Sequence, residues 1–200
     1  PEYIGASPFE IQVLTPMRKG ELGVEHLNEV LQYYLNPASE SKKEKEGRTG
    51  VFREGDKVMQ VKNNYKLEWK ITNAKGFSIE EGLGVFNGDM GIIKQINTYS
   101  ERITVVFDEN REAEYPFSSL DELELAYAIT IHKSQGSEYP AVVLPLLSGP
   151  PILCNRNLLY TAITRAQKCV AIAGRQSMVE QMIHNETEQK RYSGLNDCLK

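Results

Sequence analysis

The hydrophobic pattern of this 200-residue chain changes period twice, and this change constrains the fold more than any other feature. A short apolar run over residues 11–14 predicts a buried strand, and apolar residues at helical spacing follow it. From about residue 52 to residue 120 the period becomes two, which is typical of short strands. Strand and helix patterns alternate again from residue 125 onward. Both ends of the chain are therefore predicted to contribute to one α/β sheet.

The segment with period two has several short strand candidates at close spacing, which predicts a small inserted β-barrel. The candidates are Val58–Val61, Val85–Phe86, Ile92–Ile96 and Ile103–Phe107. Turn residues separate them at 63–64, 87–89 and 108–110. The predicted domains are an α/β domain in two parts, at 1–51 and 121–200, with the barrel at 52–120 between them.

The remaining elements are predicted from apolar patterns of strand or helix type. The first helix opens at Gly23, carries its buried stripe on Val24, Leu27, Val30, Leu31, Tyr34 and Leu35, and stops at Asn36-Pro37. Residues 38–50 alternate Lys and Glu, so a mobile, solvated linker is favoured over a nucleic-acid contact. Later strands are predicted at 125–131, 141–146 and 170–173, and later helices at 157–167 and 177–183.

Composition limits the partners of the chain. The net charge of −4 provides no global attraction to nucleic acid, so any such site must be local. No apolar run approaches the roughly 20 residues that span a bilayer, so no membrane partner is expected. Three cysteines without metal-ligand spacing predict no metal site and a reducing, cytoplasmic location. The start, Pro1-Glu2-Tyr3, lacks an initiator Met and predicts a fragment of a longer protein.

Two stretches imitate nucleotide-binding motifs. Residues 50–56 have the glycine spacing of a P-loop, but Asp56 stands where the phosphate-binding lysine belongs. Residues 103–109 resemble an apolar strand ending in a magnesium-binding Asp-Glu pair, yet Asn110 and renewed alternation favour a hairpin turn. The chain alone is therefore not expected to assemble a complete ATP-binding site.

Three polar breaks after strand or helix patterns are the candidate functional segments. The first, "AITIHKSQGSEYP" at 128–140, places hydrogen-bonding side chains and a glycine where open α/β sheets bind ligands. On residue types alone, a phosphate-binding loop and an ordinary loop with a solvated lysine are equally favoured. The second, "QVLTPMRKGELG" at 12–23, is either a binding loop carrying Arg18 or a solvated basic turn.

The third segment is "NLLYTAITRAQ" at 157–167. Its buried stripe is predicted on Leu158, Leu159, Ala162 and Ile163. Arg165 lies at the edge of that stripe, which buries its stem and holds the guanidinium at an interdomain surface. Such an arginine can neutralise the charge that develops on a transferring γ-phosphoryl group. The alternative is a helix-end arginine with an interhelical partner.

Taken together, the three segments resemble motifs IV, V and VI of superfamily 1 DNA helicases. The wording of 132–138 and 160–166 is most similar to the 1B branch typified by the exodeoxyribonuclease V α-subunit, the RecD-like enzymes. "GDKVMQVKNN" and "VFNGDMGII" resemble the small SH3-like barrel that this branch inserts. The resemblance implies an α/β, RecA-like second lobe of a P-loop NTPase with an inserted SH3-like barrel. The first RecA-like lobe is absent.

The resemblance also implies roles for the matched positions. Arg165 would be an arginine finger on the γ-phosphate of ATP, and Arg18 a second cationic contact. Near the nucleotide it places Gln135, Gly136 and Glu138, with Tyr160 and Thr161 supporting the finger. Facing single-stranded DNA it places Thr130, His132, Lys133 and Ser134. ATP and Mg²⁺ would be held mainly by the N-terminal RecA-like lobe of the same protein. Translocation would run 5′→3′, and the partners would include a larger nuclease–helicase complex.

A function of another class stays open at this stage. The barrel could dock a protein partner if aromatic side chains lined a groove on it. Tyr65, Trp69 and Phe77 fall between the strand candidates and are the residues that could do so. Packing of these rings into the barrel is the favoured alternative.

Overall fold

The computed structural model describes residues 4–48, 50–73 and 75–186. In chain order its strands and helices are β1 (Ile11–Thr15), α1 (Val24–Leu35), β2 (Glu44–Glu46), β3 (Val51–Arg53), β4 (Lys57–Gln60), β5 (Asn64–Thr72), β6 (Ser78–Val85), β7 (Met90–Asn97), β8 (Arg102–Phe107), β9 (Glu112–Pro116), β10 (Leu123–Leu125), β11 (Ala128–Thr130), β12 (Tyr139–Leu146), α2 (Arg156–Ile163), β13 (Ala166–Gly174) and α3 (Gln176–His184). Cys198 lies outside the described residues, whereas Cys154 is buried and Cys169 half-buried, both as free thiols.

Four strands from both ends of the chain form one parallel sheet, which confirms the predicted α/β class. Their order is β11-β1-β12-β13, so the N-terminal strand lies between two strands that follow the insertion. Helices α2 and α3 cover the sheet with the buried side chains Leu158, Leu159, Ala162, Met178 and Met182. Ile163 was predicted in the buried stripe, but it is 41% exposed.

The inserted segment forms a seven-stranded antiparallel sheet in the order β10-β4-β7-β8-β9-β5-β6. Its inward side chains build a second core around Val58, Ile93, Ile103, Val105 and Tyr115. Strand β10 belongs to this sheet, so the antiparallel pairing continues to Leu125. The domain boundaries at 51/52 and 120/121 stay predictions.

The prediction of one continuous strand over 125–131 was wrong, because the chain passes from one sheet to the other within this range. Residues of β10 pair with β4 in the antiparallel sheet, and residues of β11 pair with β1 in the parallel sheet. The crossover is anchored by Asn28 of α1, whose amide donates to the carbonyls of Leu125 and Ala128 and accepts from the Ala128 N–H. A side-chain amide can satisfy backbone groups that leave a ladder at such a point.

Helix α1 confirms the predicted apolar stripe only in part: Val24 is buried and Leu31 packs against the second core, but polar side chains are buried beside them. Tyr34 and Leu35 are 75% and 41% exposed, whereas Asn28, Gln32 and the cap residue Asn36 are buried. Gln32 and Asn36 donate to the carboxylate of Asp56 at 2.6 and 2.7 Å. The Arg53 N–H and the Tyr127 hydroxyl donate to the same carboxylate at 2.6 and 2.9 Å.

Asp56 therefore joins α1, the antiparallel sheet and the crossover. Its side chain is fully buried, and burial raises its pKa, although the four hydrogen bonds counteract part of that effect. Asp56, the acidic residue that excluded a P-loop in the sequence, thus has a structural role.

A second buried contact ties β4 to β1. The Lys57 ammonium donates to the side-chain oxygen of Gln12 at 2.9 Å and to the carbonyl of Phe9 at 2.6 Å. Burial lowers the pKa of Lys57 to about 8. Gln12, itself fully buried, donates in turn to the carbonyls of Ala126 and Tyr127. The two sheets are therefore locked together by hydrogen bonds at their junction.

Two further predictions have clear outcomes. The linker prediction for 38–50 was wrong in part, because residues 44–46 form β2 and pair with β3. The hairpin prediction at 108–110 is confirmed, since β8 and β9 are antiparallel neighbours joined there. Among the described residues, no helix is long and apolar enough to cross a membrane.

Candidate functional site

The predicted site residues fall at two opposite edges of the parallel sheet. Thr130 ends β11 and pairs with Thr15, the last residue of β1, so both lie at the carboxyl edge. Tyr139 begins β12 and pairs with Ala166, the first residue of β13, at the amino edge. Register places Thr130 level with residue 145 of β12, about 20 Å from Tyr139 at the rise of a strand. The loop 131–138 connects the two edges.

Arg165 lies at the amino edge, where only two residues separate α2 from β13. Its N–H donates to the Ala162 carbonyl at 3.2 Å, and its carbonyl accepts from the Tyr139 N–H at 2.8 Å. Because the backbone is bonded on both sides, the position of the Cα is fixed by the sheet and the helix. The prediction that this residue is held rigidly at the edge of α2 agrees with that geometry.

The Arg165 guanidinium is half-buried and contacts neutral oxygens. Nε donates to the Thr161 carbonyl at 3.3 Å, Nη1 to the Ser137 carbonyl at 3.2 Å and Nη2 to the Thr164 hydroxyl at 3.3 Å. It forms no ion pair with any carboxylate within the described ranges. Its positive charge is therefore oriented but not neutralised, which suits an anionic ligand.

The loop 131–138 reaches this guanidinium through the Ser137 carbonyl. Gln135, Gly136 and Glu138 are all exposed, and Gly136 has φ +91°, a conformation that favours glycine. Glu138 accepts a long hydrogen bond of 3.4 Å from Gln167. Glu138, next to Tyr139, thus lies at the same edge as Arg165, and Gln135 and Gly136 precede it in the exposed connecting loop.

The two residues expected to support Arg165 differ in what they do. Thr161 supports it through its carbonyl, while its hydroxyl donates to the Asn157 carbonyl at 2.8 Å. The Tyr160 side chain is 70% exposed, so only its carbonyl, which accepts from the Thr164 N–H, belongs to this end of α2.

Arg18 lies at the carboxyl edge, among carboxylates. Its Nη2 is 2.8 Å from Oε1 of Glu124, and its Nε is 3.8 Å from Oε1 of Glu25. Gly23 keeps the loop tight, because a Cβ there would lie 2.5 Å from the Lys19 backbone carbon. The structure does not bring Arg18 and Arg165 together, because they lie at opposite edges of the sheet, and the role of Arg18 as a second cationic contact stays a prediction.

Lys133 joins the same carboxyl-edge cluster. Its Nζ is 3.0 Å from Oε2 of Glu124, so each oxygen of that carboxylate accepts from one cation. Burial raises the pKa of Glu124, but the hydrogen bonds from Arg18 and Lys133 outweigh it, and the net pKa is lowered. Glu124 is thus held ionised at neutral pH.

The remaining predicted DNA-facing residues are at the carboxyl edge but are not equally available. His132 is exposed, and the Thr130 hydroxyl accepts from the Lys133 N–H at 3.2 Å. Ser134 is fully buried and donates to the Ile131 carbonyl at 2.8 Å, so its hydroxyl stabilises the turn. Its predicted contact with a ligand is not available in this geometry.

Sequence reasoning missed Glu124, which pairs with two of the predicted residues. It stands between two leucines in "LEL", a pattern that indicates a strand with one solvated face. The described residues also contain no group of three or more His, Cys, Asp or Glu side chains that could hold a metal ion.

Comparison with known proteins identifies two matched segments. Residues 27–107 match the family described as the ATP-dependent RecD-like DNA helicase SH3 domain. Residues 125–173 match the UvrD-like helicase C-terminal domain. The first segment runs from within α1 to the end of β8, and the second contains the loop 131–138 and Arg165.

Two curated relatives match most of the chain. The chain is 39% identical over 167 residues to the ATP-dependent RecD2 DNA helicase of Deinococcus radiodurans, covering 84% of this chain and 20% of that protein. It is 30% identical over 191 residues to the RecBCD enzyme subunit RecD of Mycolicibacterium smegmatis, covering 96% of this chain and 29% of that protein. The chain thus spans less than a third of the length of either relative.

A solved structure supports the fold. The Pif1 helicase from Bacteroides, in complex with ADP-AlF3 and single-stranded DNA, superposes with a TM-score of 0.51 at 19% identity. The match covers 94% of this chain and 44% of that one. At this identity the likeness concerns the fold of the helicase lobe.

Proposed function

We infer that this chain, which belongs to the RecD-like superfamily 1 helicases, acts as the C-terminal lobe of an ATP-dependent DNA helicase. In this role it completes an ATP site with Arg165 and grips single-stranded DNA at the other edge of its parallel sheet. The ATP-binding half of the cleft would belong to an N-terminal RecA-like lobe of the same protein. The protein would work in the cytoplasm, alone or within a larger nuclease–helicase complex.

The observation that carries the proposal is the uncompensated charge of Arg165. Three neutral oxygens orient the guanidinium, and its backbone is fixed by β12 and α2. An arginine prepared in this way costs little reorganisation when it meets charge developing on a transferring phosphoryl group. Arg18, which Glu124 and Glu25 already neutralise, is less suited to that role.

The donors at the amino edge fit a nucleotide phosphate but not its metal ion. Arg165 and the exposed loop residues Gln135 and Gly136 offer N–H donors to phosphate oxygens. No group of acidic side chains suitable for Mg²⁺ lies among the described residues. Mg²⁺ would therefore be held by the other lobe, and it would supply charge neutralisation at the phosphates. Glu138 would lie toward the ribose.

Single-stranded DNA would lie along the carboxyl edge. His132 and Lys133 belong to the loop that also contacts Arg165 through Ser137, so one segment touches both proposed ligands. Arg18 would join Lys133 at the phosphate backbone. When ATP binding closes the two lobes, a change at Arg165 could be transmitted through 131–138 to the DNA contact. Movement would be 5′→3′, as the family resemblance implies.

The alternative of a protein-docking barrel has less support. Trp69 packs on Gly82, where a Cβ would lie 2.3 Å from its ring, and Arg111 stacks over it at 5.7 Å. Tyr65 contacts Phe86 near one end of the β5–β6 ribbon, whereas Phe77 lies beside the other end. The aromatic side chains therefore do not line a common groove.

The experiment that tests this function uses the full-length protein and the isolated chain. We expect the full-length protein to hydrolyse ATP, with stimulation by oligo-dT, and to unwind a duplex with a 5′ single-stranded tail. The isolated chain should not hydrolyse ATP. Lys133→Ala should weaken DNA stimulation, while Lys94→Ala, a barrel lysine paired with Glu112, should not. Absence of DNA-stimulated hydrolysis in the full-length protein would refute the proposal.

A further inference from the structure

The strongest unexplained feature is the position of Glu124 between two cations of the proposed DNA-binding edge. Glu124 belongs to β10 of the inserted sheet, whereas Arg18 and Lys133 belong to loops of the parallel sheet. Each carboxylate oxygen accepts from one cation, at 2.8 and 3.0 Å. Proteins bind a phosphate group in the same way, with an arginine and a lysine each donating to a different oxygen of one anion.

The charges of this cluster cancel. Arg18 and Lys133 carry two positive charges, and Glu124 and Glu25 carry two negative charges. A neutral cluster attracts a phosphate backbone weakly, because the affinity of such sites depends on uncompensated cations that release counterions. Removing the charge of Glu124 alone would leave one uncompensated positive charge at the edge.

The cations are accessible to a ligand even while they are paired. The side chains of Arg18 and Lys133 are 46% and 30% exposed, and that of Glu124 is 17% exposed. The carboxylate therefore lies behind the two cations, in a position where it can orient them toward solvent. Ion pairs with this degree of exposure contribute roughly 1 kcal/mol or less, so an incoming phosphate can replace them.

We propose that Glu124 is a positioning residue that occupies the place of a DNA backbone phosphate, orients Arg18 and Lys133, and limits their affinity for single-stranded DNA. This inference rests on the proposed function in taking single-stranded DNA as the ligand. A motor must release each phosphate it grips, and an internal anion that exchanges with the phosphate makes release easier. The inserted sheet would thereby set the strength of the grip without contacting DNA bases.

The test compares Glu124→Gln with Glu122→Gln in the full-length protein. Glu122 lies two residues away, and among the described residues its carboxylate accepts only from the neutral side-chain amides of Gln60 and Asn64, so the control removes the same charge from the same region. Affinity for oligo-dT is measured by fluorescence anisotropy over a range of salt concentrations. We expect Glu124→Gln to bind up to about fivefold tighter at low salt, the scale of one such ion pair, with a steeper salt dependence.

Two additional variants distinguish exchange of Glu124 with a DNA phosphate from a merely structural role of Glu124. In an Arg18→Ala/Lys133→Ala background, Glu124→Gln should no longer tighten binding, because its partners are gone. Glu124→Asp, which keeps the charge but shortens its reach, should bind with intermediate affinity and serves if Glu124→Gln does not fold.

Three outcomes would overturn the inference: equal affinities for the Glu124 and Glu122 variants, weaker binding by Glu124→Gln, or tightening that persists in the double-alanine background. If the wild-type protein itself does not bind oligo-dT, the proposed function fails instead.

Discussion

Two buried tyrosines provide a matched test of the hydrogen-bond network that joins the sheets. Tyr127 and Tyr139 are 3% and 7% exposed. The Tyr127 hydroxyl donates to the Asp56 carboxylate at 2.9 Å, whereas the Tyr139 hydroxyl makes no hydrogen bond of good geometry within the described residues, although the Ser137 side chain lies beside it. Replacement by Phe removes the same single oxygen from each, so packing changes are comparable and the hydrogen bond is the difference.

The expected magnitudes follow from the partners. A hydrogen bond to a charged acceptor contributes about 1.5–3 kcal/mol, so Tyr127→Phe should lower the free energy of unfolding by that amount. Asp56 would keep its other three donors, which limits the loss. Tyr139→Phe loses no bond and relieves a buried hydroxyl, so its free energy of unfolding should stay within about 0.5 kcal/mol of wild type or rise.

The assay is urea denaturation at pH 7, followed by the fluorescence of Trp69, the single tryptophan of the chain. Circular dichroism recorded on the same samples checks that both sheets unfold in one transition. An equal loss of stability in the two variants would refute the reasoning, because it would mean that the bond to Asp56 contributes nothing beyond tyrosine burial.

Other predictions concern buried charges and one tight turn. Because burial raises the pKa of Asp56, the folded state takes up its proton at higher pH than the unfolded state; Asp56→Asn should therefore cost more stability at pH 4 than at pH 7 in matched urea titrations. Burial lowers the pKa of Lys57 from 10.5 to about 8, so the unfolded state binds more protons between those values. The wild type should gain up to about 3 kcal/mol over Lys57→Met as pH rises through this window, and a constant difference would contradict the assignment. Gly23→Ala should lower stability by about 1–3 kcal/mol in thermal melts, since its Cβ would clash with the Lys19 backbone; an unchanged Tm would contradict this.

The change of hydrophobic period predicted the α/β class and the insertion because both depend on which faces of regular elements are apolar. The same reasoning found the buried Val24 of α1 but missed Asn28, Gln32 and Asn36, which also face inward. This helix packs against the backbone of the crossover and against Asp56, which need donors and acceptors rather than methyl groups. Hydrophobic periodicity cannot detect a buried face that is polar.

For a related reason, the sequence predicted the position of Arg165 but not the cluster around Glu124. The position of Arg165 followed from its angle to the α2 stripe, a local property of one helix. The pairing of Arg18 and Lys133 with Glu124 depends on how the two sheets meet. Arg18 precedes Glu124 by 106 positions in the sequence, and Lys133 follows it by nine. The separation of Arg18 from Arg165 likewise follows from strand register, which the sequence pattern does not specify.

The most direct test of the central claim compares the two arginines that flank β13. Arg165 precedes the strand, and Arg175 follows it at the opposite edge of the sheet. The measurement is kcat for ATP hydrolysis by the full-length protein at saturating ATP and oligo-dT. Arg165→Ala should lower kcat by about 10²-fold or more, the usual weight of such charge stabilisation, and Arg175→Ala should leave it near wild type. Near-normal turnover in Arg165→Ala would contradict the assignment of this residue to the phosphoryl group.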